Sequence, residues 1–125
     1  MNNSNQYNSH RNSKGTVRIS TQVITSIVGH AIRELDNKAE LAPVVHSSTP
    51  KWIVFNKTIS PVRIELKDGL ATISARLLVS PEVKLREYAE QLQQAIKDAI
   101  QNMTGIIVSD VNLAFVGLTR CGGNA

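Results

Sequence analysis

The stretch PVRIELKDGLATISARLLVS, Pro61 to Ser80, restricts the fold more than any other part of the chain. Asp68-Gly69 is a dipeptide suited to a two-residue type I′ turn, in which both central residues take positive φ. With that turn in place, Leu66 faces Ala71, Ile64 faces Ile73 and Val62 faces Ala75, so three successive pairs are apolar. Glu65 then meets Thr72 and Arg63 meets Ser74, which makes the other side of the ribbon polar. A slip of one residue would turn every side chain to the opposite face, so turn chemistry and hydrophobic pattern select one register independently. A hairpin with one apolar face has to bury that face under a second layer.

Two segments can supply the layer. In TQVITSIVGHAIRELDN, the residues Val23, Ile24, Ile27, Val28, Ala31, Ile32 and Leu35 recur at helical steps. Ser20 or Thr21 offers a capping hydroxyl, and the mid-helix Gly29 suggests close packing. The second helix carries Leu85, Tyr88, Ala89, Leu92, Ala95, Ile96, Ala99, Ile100 and Met103 on one face and charges of mixed sign on the other. Ser80-Pro81-Glu82 reads as its N-cap, a proline at the first helical position and an acid in the first turn.

After the second helix the chain reads NMTGIIVSDVNLAF, and its apolar phase changes: Ile106 and Val108 are even, whereas Val111, Leu113 and Phe115 are odd. Gly105 suits the left-handed position after a helix, and Ile106 can fold back onto the last turn in a Schellman ending. Pairing of the last strand is then expected from about Val111, with Ser109-Asp110 as a bulge or turn that absorbs the change of phase.

Ahead of the first helix, GTVRIS reads as a short half-buried strand, and residues 1–14 as a disordered Asn/Ser-rich tail with almost nothing to pack. Between Asp36 and Pro50 no period holds, which reads as a loop. WIVFN, residues 52–56, is a candidate edge strand. The expected organisation is one domain over residues 15–118, followed by a flexible tail over 119–125. Its class is α+β, a two-layer sandwich of order β-α-β-β-α-β in the ferredoxin-like arrangement, with two helices on one face of a mainly antiparallel sheet.

Composition and motifs bound the chemistry. The 125 residues suit a single domain, with 42% hydrophobic and 19% charged residues in the ordinary range for a globular protein. No apolar run reaches the roughly 20 residues needed to span a bilayer, and the N-terminus carries no hydrophobic signal core. The expected location is therefore cytoplasmic. Cys121 is the one cysteine, read as an incidental thiol. His10, His30 and His46 are scattered, with no companion at metal-ligand spacing, so neither a metal nor a cofactor is expected. No nucleophile elbow and no phosphate-binding glycine cluster occurs, and Asp68 and Asp110 are accounted for by turn and bulge, so no enzymatic activity is expected.

The net charge of +4 allows an acidic partner, but the fourteen Lys and Arg residues are spread without a basic run. On the face of the sheet away from the helices, the outward residues would be Arg18, Arg63, Glu65, Thr72, Ser74, Arg76 and Asn112. With no aromatic among them, base stacking of the RNA-recognition type is disfavoured. Weak phosphate contact through Arg18, Arg63 and Arg76 defines the alternative function, a nucleic-acid-binding module using a basic sheet face. Asn112 is polar on a strand of apolar neighbours. These four residues, Arg18, Arg63, Arg76 and Asn112, are the candidate partner-binding positions.

GTVRISTQVITSIVGHA at Gly15 to Ala31, and YAEQLQQAIKDAIQNMTGIIVSDVNLAFVGL downstream, resemble the alkaline shock protein family, the general envelope stress response proteins of Gram-positive bacteria. Met103-Thr104-Gly105 and Val111-Asn112-Leu113 are the most specific points of likeness. The chain departs from the family pattern at ELDNKAELAPVV, at Ser80-Pro81 and at HSSTPKWIVFNKTISP. The resemblance implies a non-enzymatic protein of the cell-envelope stress response that forms homo-oligomers and docks to an integral membrane anchor protein. It would sit peripherally at the cell membrane through that partner, with no small-molecule substrate.

Overall fold

The computed structural model describes residues 6–12, 14–43, 45–46 and 58–119. Its elements are β1 (Gln6–Asn12), β2 (Gly15–Ser20), α1 (Thr21–Leu35), β3 (Ala39–Leu41), β4 (Val45–His46), β5 (Thr58–Ile59), β6 (Val62–Lys67), β7 (Leu70–Val79), α2 (Leu85–Thr104) and β8 (Ile107–Leu118). The fold is α+β, and β2-α1-β6-β7-α2-β8 realises the expected β-α-β-β-α-β order. The candidate strand WIVFN and the residues beyond 119 lie outside the described residues.

The β6–β7 hairpin forms in the predicted register, with Val62 opposite Ala75, Ile64 opposite Ile73 and Leu66 opposite Ala71. Asp68 (φ 54°) and Gly69 (φ 80°) both take the positive φ that a type I′ turn requires. β7 is the spine of a four-stranded sheet. Along one edge it pairs in parallel with β8 over its whole length, from Leu70 opposite Ile107 to Val79 opposite Leu118. The other edge is shared by β6 and then β3, both antiparallel. Arg76 is where one strand hands over to the other: its N–H donates to the Pro61 carbonyl (2.7 Å), and its carbonyl accepts from the Ala42 N–H (2.9 Å).

With both edges of β7 occupied, β2 takes its ladder from β1 instead, in an antiparallel hairpin with Asn12 opposite Gly15. Two sequence expectations are corrected here. Residues 6–12, expected within a disordered tail, form a strand, because a backbone ladder needs no apolar side chains. GTVRIS is not half-buried throughout: Ile19 packs at the margin of the core, while Val17 remains 55% exposed. The loop expected between Asp36 and Pro50 also contains β3 and β4, which are too short to show a period.

Both helices lie on one face of the sheet. Ile24, Val28 and Ile32 of α1 and Leu92, Ile96 and Ile100 of α2 close over Ile73 and Leu77 of β7, all with 1% exposure or less. Among the described residues, no polar or charged residue is fully buried. Ser20 proves to be the α1 cap, its hydroxyl accepting from the Val23 N–H at 3.4 Å, while the Thr21 hydroxyl is buried without a partner. Gly29 is less crowded than its sequence position suggests. An added Cβ would stand 3.5 Å from the Arg33 side chain and 3.8 Å from that of Leu41, which are ordinary contacts.

The start of α2 differs from the sequence expectation as well. Ser80 belongs to the sheet through its N–H, bonded to the Lys38 carbonyl at 2.8 Å, so its hydroxyl caps a turn by accepting from the Glu82 N–H at 3.2 Å. The helix begins later, behind Lys84, which provides no side-chain cap. What anchors it is Tyr88: the buried ring sends its hydroxyl to Asp36 Oδ1 (3.1 Å), tying the first turn of α2 to the end of α1. Burial, reinforced by the neighbouring Asp36 carboxylate and the hydrogen bond to it, pushes the Tyr88 phenol well above its ordinary value.

Candidate interaction surface

The junction that changes the apolar phase is resolved as a helix stop followed by a bulge. Gly105 (φ 78°) donates its N–H to the Gln101 carbonyl at 3.0 Å, a single-bond left-handed ending and not the Schellman form. The Ile106 N–H is taken by the Thr104 hydroxyl at 3.1 Å, and Ile106 itself is buried in the core. Pairing of β8 begins at Ile107, earlier than Val111, because the bulge lies inside the strand and does not precede it. Val108 stands opposite Ala71 and Asp110 opposite Thr72, which leaves Ser109 as the extra residue. Its hydroxyl donates to the Ala71 carbonyl at 3.2 Å, restoring a bond the bulge would remove from the ladder.

This bulge, with a second that leaves Val116 extra between the Leu77–Phe115 and Leu78–Gly117 pairs, fixes which β8 side chains reach the open face. Combining the β6–β7 and β7–β8 registers gives five rows across the sheet. From the hairpin end they are Lys67, Leu70 and Ile107; Glu65, Thr72 and Asp110; Arg63, Ser74 and Asn112; Arg76 and Ala114; and Glu40, Leu78 and Gly117. Gly117 faces a crowded point: a Cβ there would lie 2.9 Å from Leu78 Cδ2.

Three of the four candidate positions, Arg63, Arg76 and Asn112, therefore come together, lining with Ser74 a shallow groove of about 320 Å³. Arg18 does not join them, since it lies on β2, outside the four-stranded sheet. Arg76 is half-buried, and its Nη1 is buried without a hydrogen-bond partner. Among the described residues, no ion-pair partner stands against Arg63, Arg76 or Glu65. Asp110 Oδ2 lies 3.3 Å from the Ser109 hydroxyl and competes with the Ala71 carbonyl for its one proton.

Several residues of this face escape the sequence reading, among them Asp110, Glu40, Leu70 and Ile107. Asp110 was absorbed by the turn chemistry, and Glu40 by the loop that proves to contain β3. Leu70 and Ile107 point outward, 44% and 60% exposed. The missing signal was register, because the hairpin pattern fixes β6 against β7 but not β8, whose alignment depends on the Ser109 bulge. At the outer edge of β8, two α2 side chains take up backbone groups. Gln101 Oε1 accepts from the Val108 N–H at 3.0 Å, and Gln93 Nε2 donates to the Val111 carbonyl at 3.0 Å.

The surface offers charged and amide groups on a rigid sheet. No group of three or more metal-ligating side chains occurs among the described residues. No described helix is long and apolar enough to cross a membrane.

Comparison with known families decides the affiliation. The model of the alkaline shock protein 23 family, of cell envelope-related function, matches residues 9–120. The chain belongs to that family. The match covers the helix-to-strand junction, the open face and most of the β1–β2 hairpin. A Bacillus subtilis (strain 168) relative, "Uncharacterized protein YqhY", is 27% identical over 104 residues, covering 83% of this chain and 77% of its own. No solved structure matches. The alkaline shock protein family chain thus combines a two-layer core with an open sheet face whose charged side chains have no ion-pair partners among the described residues.

Proposed function

We propose that this protein is a non-enzymatic component of the cell-envelope stress response, acting through self-association and docking to a membrane-anchored partner. Family membership over residues 9–120 is the observation that carries the reading, since the family's function is related to the cell envelope. The open sheet face supports it by supplying a firm surface with unpaired charge, suited to recognition by another protein. Peripheral association through such a partner would bring to the membrane a chain none of whose described helices is long and apolar enough to cross it.

Cell fractionation with in-cell cross-linking tests this reading. The expected result is recovery of the protein with membranes, as species larger than a monomer, in a form released by washing and not only by detergent. A protein that remains strictly monomeric and wholly in the soluble fraction would overturn it.

The pairing of Arg63 and Arg76 on one face favours a second reading, weak binding of single-stranded nucleic acid through phosphate contacts. It predicts salt-sensitive binding that weakens when Arg63 and Arg76 become alanine. The lack of an outward aromatic on the described sheet argues against base stacking, because Phe115, opposite Leu77, faces the helices.

A further inference from the structure

Arg76 differs from the other charged residues of the open face, which are all exposed, in being half-buried. Its Nη1 is buried without a hydrogen-bond partner, in a residue that lines the groove shared with Arg63, Ser74 and Asn112. A guanidinium cannot shed its charge, so a buried N–H of this kind calls for an acceptor. The backbone holds Arg76 in place, because its N–H and carbonyl are both engaged, with Pro61 and Ala42, where β6 gives way to β3. Arg63 stands opposite Ser74, two residues from Arg76 along β7, so the arginines form a diagonal pair across adjacent strands. Diagonal neighbours lie about 7–8 Å apart, within reach of long side chains. Two cations so placed repel each other unless an anion stands between them.

We infer that this groove is a binding site for a single carboxylate, supplied by an aspartate or glutamate side chain of another protein chain. The inference rests on the association proposed above and names the chemical group that it brings to this face. A guanidinium presents a planar fork of N–H donors that matches the two oxygens of a carboxylate. Arg76 offers its buried Nη1, Arg63 closes from β6, and the Ser74 hydroxyl and Asn112 amide stand in the Arg63 row as further donors. Pro61 and Ala114 give the groove apolar lining. Such a lining suits the methylene groups of an acidic side chain and strengthens charge-assisted bonds by lowering the local dielectric.

The surrounding charges set the size of the ligand. The row on the hairpin side of Arg63 holds Glu65 and Asp110, and the row beyond Arg76 holds Glu40. At about 3.3 Å per residue, the basic rows between them are only about 7 Å apart along the strands. One carboxylate fits that span. A phosphodiester chain running along the strands would set its next charges over Glu65 and Asp110 or over Glu40, and a dianionic phosphate would feel the same acids more strongly. These acids therefore discriminate against polyanions, while a lone carboxylate stays within reach of both arginines. Glu65 does not fill the site from within the chain, since no ion-pair partner stands against it, Arg63 or Arg76 among the described residues.

NMR titration of the full chain tests the site, with an end-blocked Gly/Ser peptide carrying one glutamate as the probe and its glutamine counterpart as the control. The expected result is saturable shifts at the Nε–Hε signals of Arg63 and Arg76 with the glutamate peptide, and none with the control. Arg76→Lys keeps the charge but loses the fork, and should raise the dissociation constant at least about fivefold while the backbone spectrum reports an intact fold. Equal binding by Arg76→Lys, or no shift at either arginine, overturns the site. A phosphoserine peptide or a single-stranded oligonucleotide that binds as tightly as the glutamate peptide overturns its selectivity for carboxylate. Sedimentation velocity and cell fractionation of the native chain and of the variant combining Arg63→Ala with Arg76→Ala identify the source of the carboxylate. Loss of self-association places it on a second copy, and loss from the membrane fraction places it on a different protein. If the native chain associates and the variant associates equally well, the carboxylate site is wrong while the proposed function stands. If the native chain neither self-associates nor reaches the membrane, yet its arginines bind the glutamate peptide, the proposed function falls and the site remains.

Discussion

The two faces of the sheet obey different rules. On the helix-covered face, Ile73 and Leu77 of β7 are fully buried under both helices, and their side chains are specified by volume and pattern. On the other face, Thr72, Ser74 and Arg76 alternate with them along the same strand yet carry polar or charged groups without contributing to the core. One backbone therefore places core-forming and outward-facing groups in alternate residues. This separation works only while the register holds, so the Ser109 bulge matters to both faces at once.

The sharpest way to break the comparison is to delete volume from the covered face. Ile73→Ala should cost about 2–5 kcal/mol, because the residue is enclosed and the cavity can collapse only partly. Chemical denaturation measures this, and a loss below about 1 kcal/mol would show that the covered face is less tightly packed than its burial implies.

A smaller effect is expected where the two helices are joined by a polar bond. Tyr88→Phe removes the hydroxyl bonded to Asp36 and should cost about 1 kcal/mol at neutral pH. The phenol is raised above its ordinary value of about 10, so the folded state holds its proton where the unfolded chain has lost it. Stability contributed by Tyr88 is therefore present below that ordinary value and declines as pH rises above it. Denaturation of the native chain at alkaline pH should show this decline, and the Tyr88→Phe variant should lack that component.

Gly29→Ala tests whether the α1 glycine serves packing or merely weakens its helix. Because the added methyl meets only ordinary contacts, the substitution should stabilise by about 0.5–1 kcal/mol, read as a raised denaturation midpoint. Destabilisation would show that α1 approaches β3 more closely than the structure indicates. On the open face, Glu65→Arg should change monomer stability by less than about 0.5 kcal/mol, since the residue is exposed and unpaired. A core-sized loss there would mean that the two faces are not separable.

Much of this molecule is readable from residue order because its strongest signals are local. Asp68-Gly69 fixes a turn, the turn fixes the β6–β7 register, and helical spacing identifies the Val23–Leu35 and Leu85–Met103 stripes as covering elements, although Val23, Leu85 and Met103 at their ends stay exposed. The less legible parts depend on which strand wins a shared edge. Nothing in GTVRIS indicates that both sides of β7 are already occupied, and three residues at Ala39–Leu41 carry no detectable period. The Ser80 hydroxyl was assigned to the helix by its Ser-Pro-Glu context, whereas a backbone bond to Lys38 keeps it in the sheet. The candidate surface was half legible for the same reason. Arg63 and Arg76 follow from the hairpin alone, while the positions of Asp110 and Asn112 beside them require the parallel β7–β8 register.

The most direct test of self-association through the open face uses a single thiol at its centre. In a Cys121→Ser background, Ser74→Cys should be joined to its counterpart by a short bis-maleimide, giving a covalent dimer in high yield. Two packed sheets stand about 10 Å apart, within the span of such a reagent. Gln94→Cys, on the exposed side of α2, should remain monomeric under the same conditions. Equal cross-linking at both positions, or cross-linking at Gln94→Cys alone, would contradict the account.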